Sequence, residues 1–440
     1  MSKTFDIVAK LWNLCNILKD DGVHYSDYVT ELTYLLLVAL GESKHASVKS
    51  IFANAQTSLR QPRHLHTLVT SIAQLDWHSA RVEGLGDLYE GLLQKNAEES
   101  KSGAGQYFTP RPLIESMVRC IQPKVGETIH DPACGTLGFL VAADRYIKNN
   151  TDELLDLNID QQNFQKQSAF VGMELVPDTQ RLALMNALLH DIHSPVELGD
   201  TLSNDGKALK DADVVLANPP FGTKKGGGAP TRDDFTFATS NKQLAFLQHI
   251  YRSLRKPTAS KPGGRAAVVL PDNVLFEDNT GAKIRADLMD KCNLHTIVRL
   301  PTGIFYAQGV KTNVLFFQRH EKDTGGTKNV WVYDLRSNMP KFGKRTPLTE
   351  DHFEDFEKAY GKDPNGGSNR RDLGESGRFR KFTRKQIATR GENLDISWLR
   401  DESNSDSNEL PEPEELAATI LERLQTAAAE IENLQEELAK

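Results

Sequence analysis

The sequence contains little cysteine and no long apolar run. Its four cysteines, Cys15, Cys120, Cys134 and Cys292, form no Cys-x-x-Cys pair and no disulfide framework. The best apolar stretch, Leu32 to Leu40, is far shorter than the ~20 residues that a membrane-spanning helix needs. The N-terminus, MSKTFDIVAK, lacks the basic and then apolar pattern of an export signal. We therefore expect a cytoplasmic protein that has no membrane partner.

Signatures for triphosphate and metal binding are also missing. The sequence has no Gly-Lys-Ser/Thr of a P-loop and no dinucleotide GxGxxG. The histidine pairs His64 with His66 and His190 with His193 have no Cys, His or carboxylate set at metal-ligand spacing. The sequence therefore predicts no metal site.

The net charge of −7 is distributed unevenly along the chain. Residues 401–440 contain twelve acidic and two basic residues, which leaves the rest of the chain mildly basic. Residues 336–390 contain fourteen Lys/Arg and eight Asp/Glu, and such a segment could neutralise phosphates. A solvated, loop-rich face is the better explanation of a charge run taken alone.

The first 100 residues show the periodicity of helices. In TFDIVAKLWNLCNILKD the apolar residues recur at spacings of three and four and form one face, and the residues from Leu85 to Leu93 form a second. Strand patterns are few before residue 125. We therefore predict an N-terminal helical domain over residues 1–100.

Strand and helix patterns alternate in the middle of the chain. A helix is predicted over Pro177 to Leu189, since proline suits the first helical turn. This alternation favours an α/β fold with a largely parallel sheet, in which ligands bind beyond the carboxyl ends of the strands. The predicted strands are Thr128–His130, Phe170–Met173, Asp213–Leu216, Arg265–Leu270, His295–Leu300 and Asn313–Gln318.

Four features follow predicted strands in order. The first is the turn DPACGTLGF (131–139), in which Gly135 and Gly138 would let a ligand approach the backbone. Glu174 ends the next strand and could accept both hydroxyls of a ribose, and Asp200 could accept from an adenine amino group. The glycine turn alone is equally typical of a purely structural turn, and Glu174 alone is more typical of a surface glutamate. Together they favour a nucleoside of little negative charge, such as a sulfonium cofactor.

The fourth feature is Asn218-Pro219-Pro220-Phe221, which ends the strand DADVVL. Proline lacks a backbone donor and restricts φ, so a rigid turn carrying one amide and one aromatic ring follows this strand. Such a turn is suited to holding a flat group.

These motifs closely resemble the S-adenosylmethionine-dependent adenine-N6 DNA methyltransferases, and more narrowly the modification subunit of type I restriction-modification systems. The resemblance covers most of the chain and includes QYFTPR (106–111), DPACGTLGF, GMEL (172–175), GDTL (199–202) and NPPF (218–221). It extends to GRAAVVLPDNVLF (264–276) and IVRLPTGIFYAQGVKTNVLFF (297–317). The segment Val38 to Lys49 looks shorter than the corresponding part of the helical domain in this family.

The resemblance implies a Rossmann-like methyltransferase sheet over residues 101–400, with S-adenosyl-L-methionine as cofactor. Glu174 would hold the ribose and Asp200 the adenine of this cofactor. Asn218, Pro219, Pro220 and Phe221 would form the catalytic site. The cofactor-binding residues that it implies are Gln106, Tyr107, Phe108, Thr109, Asp131, Ala133, Gly135, Thr136, Gly138, Phe139, Glu174, Asp200, Thr201 and Asn218.

Chemistry explains why an adenine N6 methyltransferase would use this tetrapeptide. The N6 lone pair is delocalised into the ring, so the amine is a poor nucleophile. Two acceptors aimed at its N–H groups, the Asn218 side-chain oxygen and the Pro219 carbonyl, would favour a pyramidal amine. Direct in-line transfer then needs positioning and no nucleophilic cysteine, and Cys134 is interpreted as a packing residue.

A recognition domain for duplex DNA is not evident. The segment between Phe221 and Arg265 is shorter than ~50 residues, the usual lower size of a domain. We therefore expect double-stranded DNA as a partner and a separate specificity subunit that selects the site. The resemblance implies two copies of this chain per specificity subunit, and it leaves open whether a restriction subunit joins.

The C-terminal segment, residues 401–440, is predicted to be an acidic helical tail. Leu416, Ile420, Leu424, Ala427, Ile431, Leu434 and Leu438 step by three and four, as in a coiled-coil seam. We expect this helix to dock on the specificity subunit. Two alternatives remain open at this point: a methyltransferase acting on RNA or on protein glutamine, and a catalytically inactive architectural subunit.

Overall fold

The computed structural model describes residues 3–24, 27–40, 46–53, 55–77, 84–99, 108–221, 230, 232–305, 310–340, 342–343 and 346–399. No helix among these residues combines the length and apolarity needed to cross a membrane. Gln106, Tyr107, Lys224, Lys225 and the predicted tail lie outside the described residues.

Helices alone make up the described secondary structure before residue 122. Their apolar stripes pack together: Val8 of the first helix lies so close to Gly91 that a Cβ added there would be 3.0 Å from it. Thr33 and Tyr89 share a buried hydrogen bond of 2.8 Å. The helices are α1 (Lys3–Asn13), α2 (Cys15–Asp20), α3 (Tyr28–Leu40), α4 (Ala46–Ile51), α5 (Pro62–Ala73), α6 (Leu85–Glu99) and α7 (Arg111–Ile121).

The first predicted helix is interrupted once. A tight turn separates α1 from α2, in which the Leu14 N–H donates to the Leu11 carbonyl at 3.1 Å. Leu11, Cys15 and Leu18 are nevertheless all buried, so the predicted apolar face is kept across the break.

The described strands form one nine-stranded sheet in the order β3-β2-β1-β4-β5-β7-β6-β8-β9. Neighbours from β3 through β5 are parallel, β7 runs antiparallel to both β5 and β6, β8 is parallel to β6, and β9 is antiparallel to β8. The strands are β1 (Ile129–Asp131), β2 (Phe170–Glu174), β3 (Val196–Leu198), β4 (Val214–Ala217), β5 (Arg265–Pro271), β6 (Cys292–Arg299), β7 (Thr312–Arg319), β8 (Asn329–Asp334) and β9 (Phe379–Thr383).

Helices cover both faces of this sheet. On one face, Val214 and Leu216 of β4 pack with α7, α8 and the N-terminal helices, and on the other Val215 and Ala217 pack with α11 and α13. These helices and the remaining ones are α8 (Gly138–Asn149), α9 (Ile159–Gln167), α10 (Pro177–Leu189), α11 (Lys242–Ser253), α12 (Asp272–Phe276), α13 (Thr280–Lys291), α14 (Glu354–Tyr360) and α15 (Arg384–Thr389).

The α/β sheet predicted from the sequence is confirmed, and all six predicted strands are present within a few residues. Strands β3, β8 and β9 were missed. Strand β3 has three residues, two of them exposed, so it carries almost no periodic pattern. Strand β9 lies at the sheet edge, where buried and exposed side chains mix with the charges of a basic segment.

The sheet topology gathers the strand-end residues at one edge. Strand β1 pairs with β2 on one side and with β4 on the other, so the chain crosses over between them. Asp131, Glu174 and Asn218 lie at or directly after the carboxyl ends of β1, β2 and β4. In parallel sheets this crossover edge is where ligands bind.

Candidate active site

The turn after β1 is shaped by its backbone. Gly135 has φ of +53°, a conformation that other residues rarely adopt, and a Cβ added there would point into open space. The Cys134 N–H donates to the Met173 carbonyl at 3.0 Å, which ties the turn to β2. The turn thus offers exposed backbone beside the crevice between β1 and β4.

Two buried carboxylates stand beside this turn. Asp131 is 1% exposed and accepts from the Ala133 N–H at 3.0 Å. Glu174 is 7% exposed and accepts from the N–H groups of Gly135, at 3.0 Å, and of Val176, at 2.9 Å. The carboxylate predicted to hold a ribose is therefore bonded to the glycine turn that precedes α8.

Without a ligand, burial disfavours the charged form of both carboxylates. Burial raises the pKa of Asp131 to about 8, and the nearby Glu174 carboxylate adds to the rise. Burial also raises the pKa of Glu174, although its backbone hydrogen bonds oppose the rise. Because a cation would favour ionisation of both groups, the site is electrostatically suited to a positively charged ligand.

The end of β3 closes the other side of the crevice. Thr201 is buried and its hydroxyl donates to the Pro132 carbonyl at 2.6 Å, which joins this loop to the β1 turn. The Asp200 carboxylate accepts from the Leu202 N–H at 2.9 Å. Ala133 packs on a small apolar cluster that includes Leu202.

Asn218 has one amide end bonded and the other end open. Its Nδ2 donates to the Thr109 hydroxyl at 2.9 Å. Its Oδ1 is buried and has no hydrogen-bond partner among the described residues. The Pro220 carbonyl, two residues on, accepts from Gln243 at 3.2 Å, which fixes the turn on α11. A buried oxygen without a partner is costly and indicates a place for a donor from a ligand.

Phe221 packs edge-on against Phe305, with ring centroids 6.0 Å apart and an angle of 76° between the rings. Phe305 lies in the segment IVRLPTGIFYAQGVKTNVLFF, and its residue pattern alone predicts no role for it. Gly303, which has φ of +80°, holds the Phe305 loop close to Phe342: a Cβ added at Gly303 would lie 2.1 Å from the Phe342 carbonyl oxygen. An aromatic residue in a glycine-containing loop after a strand is the signal that could have identified this contact.

Further predicted cofactor residues have structural partners of their own. Phe139 is 4% exposed and belongs to the main core, so its ring can shape the site only from behind. A Cβ on Gly138 would lie 3.2 Å from Ile114, which shows how closely α8 packs on α7. The Thr136 carbonyl accepts from Asn186 of α10 at 2.9 Å, and Phe108 packs on the core. Their roles toward a cofactor stay predictions.

Two apolar side chains missed by the sequence analysis border the crevice. Leu175 and Leu198, at the ends of β2 and β3, are 61% and 51% exposed. Glu174 and Leu198 are register partners across the two strands, so both leucines lie at the same edge as the ribose-binding candidate.

His190 lies beside two carboxylates that are distant from it in the sequence. Ligand atoms of Asp87, Glu90 and His190 lie within 4.8 Å of one another, because α6 and α10 bring them together. Arg111 and Arg145 pair with the same two carboxylates. These arginines already balance the acidic charge, so the cluster serves as an ion-pair network between α6, α7 and α8.

Several arginines of the basic segment 336–390 bind other residues of the folded protein. Arg336 forms two 2.8 Å hydrogen bonds to Asp272. The Arg370 guanidinium lies 4.8 Å from the centre of the Tyr360 ring, and Arg378 donates to the carbonyls of Asp334 and Ser337. For these arginines, structural anchoring explains the charge run better than phosphate binding does.

Comparison with known proteins defines the class. Residues 81–407 match the family N-6 DNA Methylase. The chain therefore belongs to this family of adenine-specific DNA methyltransferases, and the predicted resemblance is confirmed. Membership decides against the alternatives that act on RNA or on protein glutamine.

Within the family, the chain groups with the methylase subunits of type I restriction enzymes. It is 47% identical over 512 aligned residues to the StySPI methylase subunit of Salmonella potsdam, covering 98% of this chain and 95% of that protein. The EcoKI methylase subunit of Escherichia coli strain K12 is 46% identical, with the same coverage. Because the alignments span more positions than the 440 residues of this chain, these relatives contain segments that it lacks.

Solved structures agree with this grouping. The crystal structure of the EcoKI M protein matches with a TM-score of 0.64 at 41% identity, covering 99% of this chain and 96% of that one. A chain from a study of complex assembly and conformational transition of the type I R-M system matches with a TM-score of 0.73 at 26% identity, covering 100% and 99%.

Proposed function

We propose that this chain transfers a methyl group from S-adenosyl-L-methionine to the N6 amine of an adenine flipped out of double-stranded DNA. The observation that carries the proposal is the buried Oδ1 of Asn218, which has no partner among the described residues and stands at the end of β4. An exocyclic amine supplies the N–H donor that this oxygen lacks.

The residues around the crevice fit the cofactor. Glu174 would hold the ribose hydroxyls, Asp200 the adenine amino group, and Gly135 would let the ligand reach the backbone. Leu175 and Leu198 would contact the base. When bound, this cofactor supplies an activated methyl group on a sulfonium, and the buried Asp131 and Glu174 carboxylates suit its positive charge.

The target adenine would be held from the β4 side. Asn218 Oδ1 and the Pro219 carbonyl accept from the two N–H groups of the amine, which favours a pyramidal nitrogen whose lone pair is available. Phe221 holds the face of the ring, and Phe305 packs beside it. Stacking on an aromatic ring is worth ~1–3 kcal/mol per base. This offsets part of the few kcal/mol that flipping a base costs.

Site selection is assigned to a separate specificity subunit, to which two copies of this chain would bind. Residues 222–264 lie where a recognition domain could be inserted, and their described part contains α11, which packs on the sheet. The names of the relatives indicate a type I restriction complex. A restriction subunit would be a further partner of the same assembly.

Substituting Asn218 with alanine tests the proposal. Asn218→Ala should abolish N6-methyladenine formation because the acceptor for the amine is lost, while cofactor binding persists because the carboxylates at β1 and β2 remain. The chain is co-expressed with its specificity subunit, N6-methyladenine in cellular DNA is mapped by sequencing, and cofactor binding is measured by calorimetry. Asn149→Ala, at the exposed end of α8, is the matched control and should methylate as the wild type does. Undiminished methylation by Asn218→Ala would refute the assigned role.

A further inference from the structure

Thr109 and Asn218 meet although 108 residues separate them along the chain. The Asn218 Nδ2 donates to the Thr109 hydroxyl at 2.9 Å, and Asn218 Oδ1 is the atom left without a partner among the described residues. A primary amide has a donor end and an acceptor end, and rotation about its last bond exchanges them. In the structure the donor end is bonded to Thr109, which leaves the acceptor end available to a substrate.

Thr109 directly precedes the start of α7. Pro110 is the N-cap residue, and its carbonyl accepts from the N–H groups of Leu113, at 3.0 Å, and Ile114, at 3.1 Å. Arg111 follows directly and pairs with Asp87 and Glu90 of α6. The hydroxyl is thus carried by a helix start that is anchored on the helical part of the protein, while Asn218 is carried by the sheet.

We propose that Thr109 is a positioning residue for catalysis, which holds the Asn218 amide with its oxygen toward the target amine. This inference rests on the proposed function and differs from the role that the resemblance implies for Thr109, which is cofactor binding. Without the hydroxyl, the amide can rotate and present its N–H groups to the N–H groups of adenine, an orientation in which two donors oppose each other.

Two substitutions of Thr109 distinguish the effect of the hydroxyl from the effect of side-chain shape. Thr109→Val keeps the shape and removes the hydroxyl, and Thr109→Ser keeps the hydroxyl. Thr109→Val should lower kcat about tenfold, the scale of one hydrogen bond, whereas Thr109→Ser should stay within about threefold of the wild type. The dissociation constant for the cofactor should change less than about twofold in both variants, since the positioning role makes no cofactor contact.

The assay uses the full complex with its specificity subunit, DNA that carries the mapped site, and tritium transfer under single-turnover and steady-state conditions. Equal kcat values for Thr109→Val and the wild type would overturn the proposal. So would a loss that appears entirely as weaker cofactor binding. Thermal unfolding of both variants checks that the fold is kept.

A second measurement detects the hydrogen bond between Thr109 and Asn218 independently of methyltransferase activity. The chain is labelled with 15N-asparagine for NMR. The side-chain amide signal of Asn218 is the one that is absent from the spectrum of Asn218→Ala. Thr109→Val should shift this signal and speed its hydrogen exchange, and Thr109→Ser should leave it near the wild-type position. An unchanged signal in Thr109→Val would refute the inference. An inactive wild-type complex would refute the proposed function, and the amide signal would still decide the inference.

Discussion

At the scale of single residues, the site is built from polar groups buried where charge is costly. Asp131 and Glu174 are nearly inaccessible, and both have raised pKa values because of burial. The Oδ1 of Asn218 is buried and has no hydrogen-bond partner among the described residues. The sequence identified these residue types because each ends or directly follows an apolar strand. Their state of ionisation depends on burial, which only the folded chain defines.

Asp131 should make stability depend on pH. Its pKa is about 8 in the folded chain and near 3.8 when exposed, so the folded state binds a proton that the unfolded state lacks between these values. The contribution of Asp131 to stability is therefore fully present below about pH 4 and is lost as the pH rises toward 8. Asp131→Asn, which cannot ionise, should gain stability relative to the wild type between pH 5 and 8, measured as the urea midpoint.

Asp355→Asn is the control for this prediction. Asp355 is an exposed carboxylate on α14, and its substitution should leave the pH profile of the wild type unchanged. If wild type and Asp131→Asn show parallel profiles from pH 5 to 8, Asp131 is not the protonated group.

At the scale of elements, the ends of several strands are held by one buried ion pair. Arg336, which follows β8, forms two 2.8 Å bonds to Asp272 at the end of β5. It also donates to the carbonyls of Leu300, at 3.0 Å, and of Thr312, at 2.8 Å. Leu300 opens the loop that carries Phe305, so this arginine anchors the loop that faces Phe221. The sequence showed only a basic segment here, since nothing in residue spacing links positions 272 and 336.

Removing Arg336 should destabilise the protein strongly. Arg336→Ala removes the ion-pair partner of Asp272, which keeps only the 2.7 Å hydrogen bond from Asn313, and breaking a buried pair in this way costs about 3–5 kcal/mol. Chemical unfolding in urea measures the change. Arg371→Ala, an exposed arginine of the same basic segment, should change the free energy of unfolding by less than about 0.5 kcal/mol. Similar effects of the two substitutions would contradict the anchoring role.

At the scale of the whole molecule, the helical part and the sheet share one core. The largest apolar cluster runs from Ile7 in α1 through Leu113 in α7 to Phe379 in β9. The ion pairs of Arg119 with Glu350 and Glu357 join α7 to the C-terminal part of the sheet domain. The domain boundaries near residues 100 and 400 stay predictions, and the predicted tail lies outside the described residues.

Deleting residues 411–440 tests the assembly proposal. The truncated chain should fail to co-purify with the specificity subunit, because the apolar seam predicted for the tail would be lost. Its cofactor binding and thermal unfolding should match those of the full chain. Undiminished complex formation would refute docking through the tail.

Substitutions within the tail make this test more specific. Leu424→Ser with Ile431→Ser removes two seam positions, and Gln425→Ser with Gln435→Ser changes two positions outside the seam. Only the first pair should weaken co-purification. Equal effects of both pairs would show that the seam is not the binding surface.

The sequence by itself determined the fold class, six strands and the order of the strand-end motifs, because each depends on local patterns of apolar residues, glycine and proline. It also determined the family, since several motifs in one order are specific together. The tertiary structure decided which distant residues meet: Thr109 with Asn218, Phe221 with Phe305, and Arg336 with Asp272. These contacts have no local signal, because they arise where separate strands and helices pack, and that packing depends on the whole core.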